Sequence, residues 1–115
     1  MHEYSIVQAL VERIAQEVTA RGATAVHRVA VRVGELSGVE PELLVTAFET
    51  FRAGTCCQGA RLEVDYVRAA WACRECDAPI ASGELLRCPA CGGRARLARG
   101  DEMYLDQLEL EIPDV

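Results

Sequence analysis

Hydrophobic side chains recur at every fourth position near the start of the chain, with charged or amide side chains between them. A repeat close to 3.6 residues places the apolar side chains on one face, which predicts an amphipathic helix over residues 3–21. Gly22 is predicted to end this helix. The positions that share the spacing are Ile6, Leu10, Ile14 and Val18.

A second helix is predicted from Pro41 to Gly54. Proline suits the first helical position, because its φ is fixed near the helical value and its missing N–H would have no helical partner there. Glycine after the last apolar position is typical of a helix end. The apolar stripe of this helix is predicted to consist of Leu43, Leu44, Ala47, Phe48 and Phe51.

Two segments alternate apolar and polar side chains, which is the pattern of half-buried β-strands. The first lies within residues 26–34, where Arg28 and Arg32 occupy the polar positions, and the second lies within residues 62–66. The apolar positions that alternate in the two segments are Val29, Val31, Val33, Leu62, Val64 and Tyr66.

The last strand changes its pattern midway. Met103 and Leu105 lie on one face, whereas Leu108 and Leu110 have the opposite parity. One extra residue in the strand would bring both pairs to the same face of the sheet. A β-bulge near Asp106–Gln107 is therefore predicted.

The order of these elements predicts an α+β fold: a small three-stranded sheet covered by two helices, with an inserted zinc-ribbon-like module. Residues 1–69 together with 101–115 are predicted to form the α/β domain. Residues 70–100 are predicted to form the inserted domain. Because an insertion returns the chain close to its exit point, the second and third strands are expected to pair antiparallel.

Four cysteines form two C-x2-C pairs, Cys73 with Cys76 and Cys88 with Cys91, separated by the 11 residues 77–87. Each pair can place two sulfurs on one metal ion, and two pairs complete a tetrahedron. About 30 residues bury too little apolar surface to fold alone, so the metal is expected to hold the module folded. Four thiolates leave no open coordination position, which predicts a structural zinc site.

Iron is the alternative metal for this site, because rubredoxins also use paired C-x2-C knuckles and carry a Cys-Pro-x-Cys-Gly second knuckle. Zinc is favoured, because the segment between the two pairs lacks the aromatic side chains of a rubredoxin core. The colour of the purified protein distinguishes the two metals. A red protein with thiolate-to-iron absorption would be a small electron carrier.

The two remaining cysteines, Cys56 and Cys57, are adjacent in sequence. A disulfide between neighbouring residues is strained, because their Cα atoms lie closer together than relaxed disulfide geometry allows. We therefore expect both to act as small, partly buried hydrophobic side chains, with no metal or redox role.

The N-terminus offers a second set of metal ligands. The α-amine of Met1, the amide nitrogen and imidazole of His2, and either the amide or the carboxylate of Glu3 can close small chelate rings around one ion. Nitrogen ligands in a plane suit Ni(II) or Cu(II). The first N–H groups of a helix have no intrahelical partner, so their use costs no helical hydrogen bond. The only other histidine, His27, is expected to be packed or at a sheet edge.

The charge of the chain excludes several classes of function. Its 115 residues carry 12 basic side chains, all arginine, against 18 acidic ones, for a formal net charge of −6. Nucleic acid and anionic membranes attract a positive surface, so neither is an expected partner. No apolar run reaches the roughly 20 residues of a membrane span, and the N-terminus has no secretion signal. A cytoplasmic location is expected, where disulfides are rare.

Three motifs in this order resemble the hydrogenase-maturation nickel chaperones of the HypA/HybF family. They are Met1-His2-Glu3 at the start of an amphipathic helix, the run VGELSGVEPEL from Val33 to Leu43, and the paired cysteine knuckles that end with the segment from Cys88 to Gly92. The likeness spans nearly the whole chain, including the closing strand between residues 100 and 111. It departs from the family at Ile80, where an aromatic side chain is expected.

The resemblance implies a nickel carrier and not an enzyme. Ni(II) would bind at Met1, His2 and Glu3, with His2 as the principal ligand, and zinc at the four knuckle cysteines would be structural. Nickel would pass to the large-subunit precursor of [NiFe]-hydrogenase with the help of a GTPase accessory protein, and some family members also serve urease maturation. A monomer or weak homodimer is expected. The alternative is a zinc-ribbon scaffold without a nickel role, in which removal of His2 has no biochemical effect.

Overall fold

A computed structural model describes residues 2–81 and 86–113 of the chain, which form two small three-stranded sheets and two helices. The helices and strands follow one another in the order α1 (His2–Arg21), β1 (Ala25–Gly34), α2 (Pro41–Phe51), β2 (Arg61–Val67), β3 (Ala70–Cys73), β4 (Pro79–Ile80), β5 (Ala95–Arg99) and β6 (Met103–Glu111). The predicted α+β class with two helices, one three-stranded sheet and a cysteine-bearing insertion is confirmed.

The main core lies between the two helices and the sheet β2-β1-β6. Helix α1 buries Leu10 and Ile14 of its predicted stripe together with Val7 and Val11, whereas Ile6 and Val18 are only partly buried. The alternation in β1 places its valines inward. Gly22 ends α1 in the left-handed conformation, with φ of 64°. The residues with at most 1% exposure in this core are Val7, Ile14, Val29, Val31, Val33, Leu44, Phe48, Cys57 and Ala60.

The predicted antiparallel pairing of the second and third strands, β2 and β6, is wrong. Strand β1 lies between them: it pairs parallel with β2 and antiparallel with β6. The reason is the connection between β1 and β2, because a helical crossover returns the chain to the end of the sheet from which β1 began. Strand β6 then occupies the only free edge of β1, which is the most deeply buried strand.

The predicted bulge in β6 is confirmed. Ala30 pairs with Gln107 and Val31 pairs with Leu105, so Asp106 is the extra residue. A second irregularity, which the alternation did not predict, leaves His27 without a partner in β6.

This second irregularity corrects the expectation that His27 is packed or at a sheet edge. Its side chain is exposed on the central strand β1, with Nε2 3.2 Å from a carboxylate oxygen of Glu111. Because the irregularity shifts the register at His27, the side chain leaves the face that its sequence parity predicts.

One member of the predicted apolar stripe of α2 is wrong. Leu44, Ala47 and Phe48 are buried, but the Leu43 side chain is 55% exposed. Adjacent helical residues point about 100° apart, so a single stripe cannot bury both leucines. Neither helix in the described part of the chain has the length and apolar content that crossing a membrane requires.

The strands β3, β4 and β5 all lie within residues 70–100 and form the second sheet, in the order β4-β3-β5. Its small core consists of Cys73, Ile80 and Cys88, with Trp71 and two alanines packed against it. Ile80 is only 4% exposed, so isoleucine fills the position where the family resemblance predicts an aromatic ring. The division of the chain at residues 70 and 100 remains a prediction.

The loop after β1, residues 35–40, contacts both chain segments that connect the two sheets. The N–H of Glu35 donates to the carbonyl of Val67 at 2.8 Å, and the N–H of Leu36 donates to the carbonyl of Gly100 at 2.7 Å. The Glu35 carboxylate also accepts the N–H of Ala69 at 2.8 Å. We call this loop the junction loop.

The end of β1 is packed tightly against the same connection. A Cβ atom on Gly34 would lie 2.4 Å from the backbone of Gly100, and a Cβ on Gly100 would lie 2.6 Å from the Cα of Ala69. Gly100 also has φ of 102°, which a side chain would strain. Glycine at both positions allows the backbones to approach this closely.

Candidate metal centre

The two cysteine pairs meet in one cluster. Their four Sγ atoms lie within 4.8 Å of one another. The Sγ of Cys73 lies 3.5 Å from that of Cys91, and the Sγ of Cys76 lies 3.6 Å from that of Cys88 and 3.7 Å from that of Cys91. The spacing of the cysteines predicts this arrangement.

The cluster has the dimensions of a tetrahedral thiolate site. Four Zn–S bonds of about 2.3 Å at tetrahedral angles separate the sulfurs by about 3.8 Å. The three separations given above are within about 0.3 Å of this value, and the remaining pairs lie within 4.8 Å. Four sulfur atoms that converge in this way direct their lone pairs at one point, where a metal ion can accept them. The four cysteines therefore fit a zinc ion.

Backbone N–H groups prepare the first cysteine of each pair to be a thiolate. The N–H groups of Glu75 and Cys76 point at the Sγ of Cys73, at 3.3 and 3.5 Å. Donation by Cys76, assisted by Glu75, lowers the pKa of the Cys73 thiol to about 7. The N–H groups of Cys91 and Ala90 lower the pKa of Cys88 in the same way. Thiolates are the form that binds zinc.

The second turn, residues 88–93, is held in shape by backbone hydrogen bonds between its own residues. The N–H of Cys88 donates to the carbonyl of Gly93 at 2.9 Å, and the N–H of Gly92 donates to the carbonyl of Cys88 at 2.8 Å. Gly92 has φ of 74°, a conformation that glycine adopts without strain. These bonds close the second turn around its two sulfurs.

Gly93 is a residue of the centre that the sequence analysis did not identify. A Cβ atom there would lie 2.7 Å from the Sγ of Cys73 and 3.3 Å from the Sγ of Cys91. Both distances are shorter than ordinary carbon–sulfur contact. The consecutive glycines after the second knuckle were the available signal, but they indicated only a tight turn.

The cysteine pairs differ in exposure by position. Cys73 and Cys88, the first of each pair, are buried, whereas Cys76 and Cys91 are exposed. An ion among the four sulfurs would therefore lie at the surface of the module, with all four tetrahedral positions filled by protein. Such a site stabilises the fold and leaves no position for a substrate.

Two of the predicted nickel-binding residues, His2 and Glu3, lie in the first turn of α1, apart from the cysteine cluster. His2 is exposed, and Met1 lies outside the residues that the structure describes. Among the described residues, the only group of three or more histidine, cysteine or carboxylate ligands that come together is the cysteine cluster. The side chains of His2 and Glu3 therefore have no third side-chain ligand beside them in that part of the chain.

The Glu3 carboxylate has a defined partner. Its Oε2 accepts the N–H of Glu40 at 3.3 Å, which links the first turn of α1 to the residue before α2. The N–H of Glu3 itself and that of Glu40 lower the pKa of this carboxyl group. It is ionised at neutral pH.

The burial predicted for the remaining cysteines, Cys56 and Cys57, is confirmed, and the absence of a metal or redox role stays a prediction. Both are free thiols, with their Sγ atoms 3.9 Å apart; Cys57 is fully buried and Cys56 is partly exposed. Burial, together with the neighbouring Cys56, raises the pKa of Cys57 to about 12. At neutral pH Cys57 is a protonated thiol within the main core.

Comparison with known protein families matches residues 1–110 to the family described as "Hydrogenase/urease nickel incorporation, metallochaperone, hypA". Among curated proteins, the hydrogenase maturation factor HypA of Shewanella oneidensis is 44% identical over 113 residues, which cover 96% of both chains. The protein of the same name from Aquifex aeolicus is 40% identical over 114 residues, which cover 97% of this chain and 99% of the relative.

Two solved structures are similar to this chain. One is the solution structure of the Ni metallochaperone HypA from Helicobacter pylori, with a TM-score of 0.71 and 30% identity over 96% of this chain and 98% of that one. The other is a solution structure of a HypA protein, with a TM-score of 0.78 and 32% identity over 96% of both chains.

Proposed function

The chain belongs to the HypA family of nickel-incorporation metallochaperones that act in hydrogenase maturation, and on this premise we propose that it binds Ni(II) at its N-terminus and delivers it to a hydrogenase precursor. The family match over residues 1–110 is the observation that carries the proposal. Metal transfer of this kind needs a site that releases its ion, and it requires no catalytic residues.

The proposed nickel ligands are the α-amine of Met1, the backbone and imidazole nitrogens of His2, and Glu3. The exposed position of His2 at the first residue of α1 supports this assignment, because an ion held there is open to an acceptor protein. Nitrogen donors in small chelate rings also favour Ni(II) over Zn(II), whose preferred geometry is tetrahedral.

The proposed role of the four cysteines is to bind a structural zinc ion. Their separations match a tetrahedral thiolate site. The small core of the module supports this role, because only three of its described side chains form the buried cluster. The zinc ion would supply the folding free energy that this core lacks.

The proposed partners are a GTPase accessory protein and the large-subunit precursor of [NiFe]-hydrogenase. Urease maturation factors are additional candidate recipients, because the matched family description names urease as well as hydrogenase. A cytoplasmic location is proposed, since maturation takes place where the precursor is made.

Native mass spectrometry of the protein with an untagged N-terminus tests the nickel site. A tag would block the α-amine, so tag removal must restore Met1 as the first residue. We expect one bound zinc after purification and one added nickel after mixing with one equivalent of Ni(II). His2→Ala should retain zinc and lose the added nickel.

His27→Ala is the matched control, because it removes the only other histidine, which is exposed on β1. This variant should bind nickel as the unmodified protein does. Equal nickel binding by all three proteins, or no nickel binding by any of them, would contradict the N-terminal site and favour a zinc-ribbon scaffold without a nickel role.

A further inference from the structure

A cleft of about 460 Å³ lies where the two sheets meet, and none of the residues that line it is a cysteine or belongs to α1. Strands β1, β2 and β6 form one part of its wall, and the end of β5 and the segments that connect the sheets form the other. We call it the arginine cleft. The charged residues that line it are Arg32, Asp65, Arg68, Arg99 and Glu102.

The fold brings Arg68 and Arg99 to the same cleft, although the inserted module separates them in sequence. Arg99 is the Cα partner of Ala70 in the antiparallel pair of β3 and β5, and Arg68 lies two residues before Ala70. Paired residues share a face of a sheet, as do alternate residues of an extended chain. The close approach of Gly100 to Ala69 holds the two segments together at this point.

The guanidinium groups of Arg68 and Arg99 are free. Neither side chain forms an ion pair or a hydrogen bond within the part of the chain that the structure describes. Arg74 and Arg94 are the only other described arginines in this state, and neither lines the cleft. Every other described arginine is paired with a carboxylate or bonded to a backbone carbonyl.

Most of the remaining charge in the arginine cleft is already paired. The Nε of Arg32 lies 3.3 Å from a carboxylate oxygen of Asp106. The Glu102 carboxylate accepts the hydroxyl of Tyr104, which raises the pKa of that tyrosine. Asp65 has no partner among the described residues. Two free guanidinium groups therefore face one free carboxylate, so the cleft attracts an anion although the chain carries a formal net charge of −6.

The chemistry of the arginine cleft suits a peptide with acidic side chains. A guanidinium group binds a carboxylate or a phosphate through two parallel N–H···O bonds. A compact polyanion would have to place several negative charges near Asp65. An extended peptide can place one carboxylate at each guanidinium group and a backbone N–H at Asp65. The Tyr104 ring, which is 51% exposed, offers apolar surface beside these charges.

We infer that the arginine cleft is a docking site for an acidic peptide segment of a partner protein, whose carboxylates pair with Arg68 and Arg99. This inference goes beyond the proposed function and is independent of it. None of the proposed nickel-binding residues and none of the four zinc-module cysteines line the cleft.

A defined acidic peptide tests the inference directly. The probe is a fluorescein-labelled nonapeptide of alternating glycine and glutamate, and its binding to the full-length, zinc-loaded protein is followed by fluorescence anisotropy at low salt. We expect saturable binding. Arg68→Gln and Arg99→Gln should each weaken it about fivefold, the effect of one lost exposed ion pair. No binding of the probe by the unmodified protein would overturn the inference.

Arg74→Gln is the matched control, because it removes an equally free and exposed arginine that lies outside the cleft. It should bind the probe within about twofold of the unmodified protein. Asp65→Asn should bind about twofold more tightly, since it removes the one free carboxylate of the cleft. If Arg74→Gln weakens binding as much as Arg68→Gln does, the probe responds only to net charge and the inference fails.

Amide NMR signals of the same proteins show where the probe binds and whether each variant is folded. Signals of Arg68, Gly100 and Tyr104 should shift on addition of the probe, while those in the middle of α1 should not. Zinc content and dispersed amide signals should be the same in all variants. Shifts confined to residues outside the cleft would overturn the inference.

Three further measurements exclude other occupants of the cleft. A peptide with glutamine in place of glutamate should not bind. Inorganic phosphate should displace the probe no better than chloride at equal ionic strength, and stronger displacement by phosphate would assign the cleft to a phosphate ligand instead. The unmodified protein and the double variant Arg68→Gln with Arg99→Gln should sediment alike. Self-association that the double variant loses would make the occupant a second copy of this chain and overturn the assignment to a partner protein.

Discussion

At the scale of single residues, the metal centre depends on a glycine and on backbone N–H groups as well as on the four sulfur ligands. Gly93 allows the second knuckle to approach Cys73, and backbone N–H groups of Glu75 and Cys76 stabilise that residue as a thiolate. The ligand residues could be predicted because their spacing is itself the signal. Gly93 could not, since its closest contact is with a sulfur 20 residues earlier in the chain.

Replacement of Gly93 by alanine should weaken zinc binding. The added methyl group would lie 2.7 Å from the Cys73 sulfur, so the turn must move and the tetrahedron must distort. We expect Gly93→Ala to lose zinc to a chelator at least roughly tenfold faster than the unmodified protein, as followed with a zinc-sensitive dye. Gly59→Ala is the control, because a Cβ there meets nothing within 4 Å. Equal rates of zinc loss would refute the role given to Gly93.

Cys57 should be unreactive in the folded protein. Its pKa of about 12 keeps the thiol protonated at pH 8, and its side chain is fully buried. Because folding raises this pKa above 9.0, the neutral thiol is favoured and its contribution to stability falls only as the pH rises above about 9. Iodoacetamide at pH 8, followed by peptide mass analysis, should label Cys57 only after denaturation. Labelling of native Cys57 as fast as of Cys56 would contradict this burial.

At the scale of elements, periodicity predicted both helices, the strands of the main sheet and the bulge at Asp106. It could not predict that β1 lies between β2 and β6, because alternation describes the faces of one strand and not its neighbours. It also placed Leu43 in the core and His27 in a packed or edge position. The error at Leu43 arises because a helical stripe is too narrow to bury two adjacent leucines. The error at His27 arises because a register shift depends on the partner strand.

The strands of the zinc module should lose their structure when the metal is removed, and the main sheet should not. The module has a buried cluster of only three described residues, whereas the main core has fourteen. After treatment with a strong zinc chelator, we expect amide NMR signals of β3 and β5 to collapse to random-coil positions while those of β1 and β6 persist. Loss of both sets at the same chelator concentration would show that the two cores fold as one unit.

At the scale of the whole molecule, the two sheets form an elongated structure with extents of 59 × 34 × 16 Å. The junction loop makes hydrogen bonds to both chain segments that connect the two sheets. Its last residue is Glu40, whose N–H donates to the Glu3 carboxylate. The N-terminal segment and the zinc module are therefore joined through one short loop. The run from Val33 to Leu43 is one of the three motifs on which the family resemblance rests. Its contacts with both connecting segments appear only in the folded chain.

Loss of the Glu35 side chain should loosen the connection between the two sheets. Glu35→Ala leaves the Ala69 N–H without its carboxylate acceptor, so we expect that amide to exchange about fivefold faster. Small-angle scattering should show a broader distribution of interatomic distances, with zinc content unchanged. Glu35→Gln should restore slow exchange, and Glu42→Ala, which removes an exposed glutamate of α2, is the control. If Glu35→Ala and Glu42→Ala behave alike, Glu35 does not stabilise the junction.

A transfer assay tests the proposal that nickel passes from the N-terminal segment to a hydrogenase precursor. Nickel-loaded, untagged protein is mixed with purified large-subunit precursor and the GTPase accessory protein, in the presence of a chelator that captures free Ni(II). We expect the precursor to gain nickel from the unmodified protein and from His27→Ala but not from His2→Ala, as measured by native mass spectrometry. Equal nickel in the precursor with His2→Ala, or with Ni(II) salt in place of the protein, would contradict it.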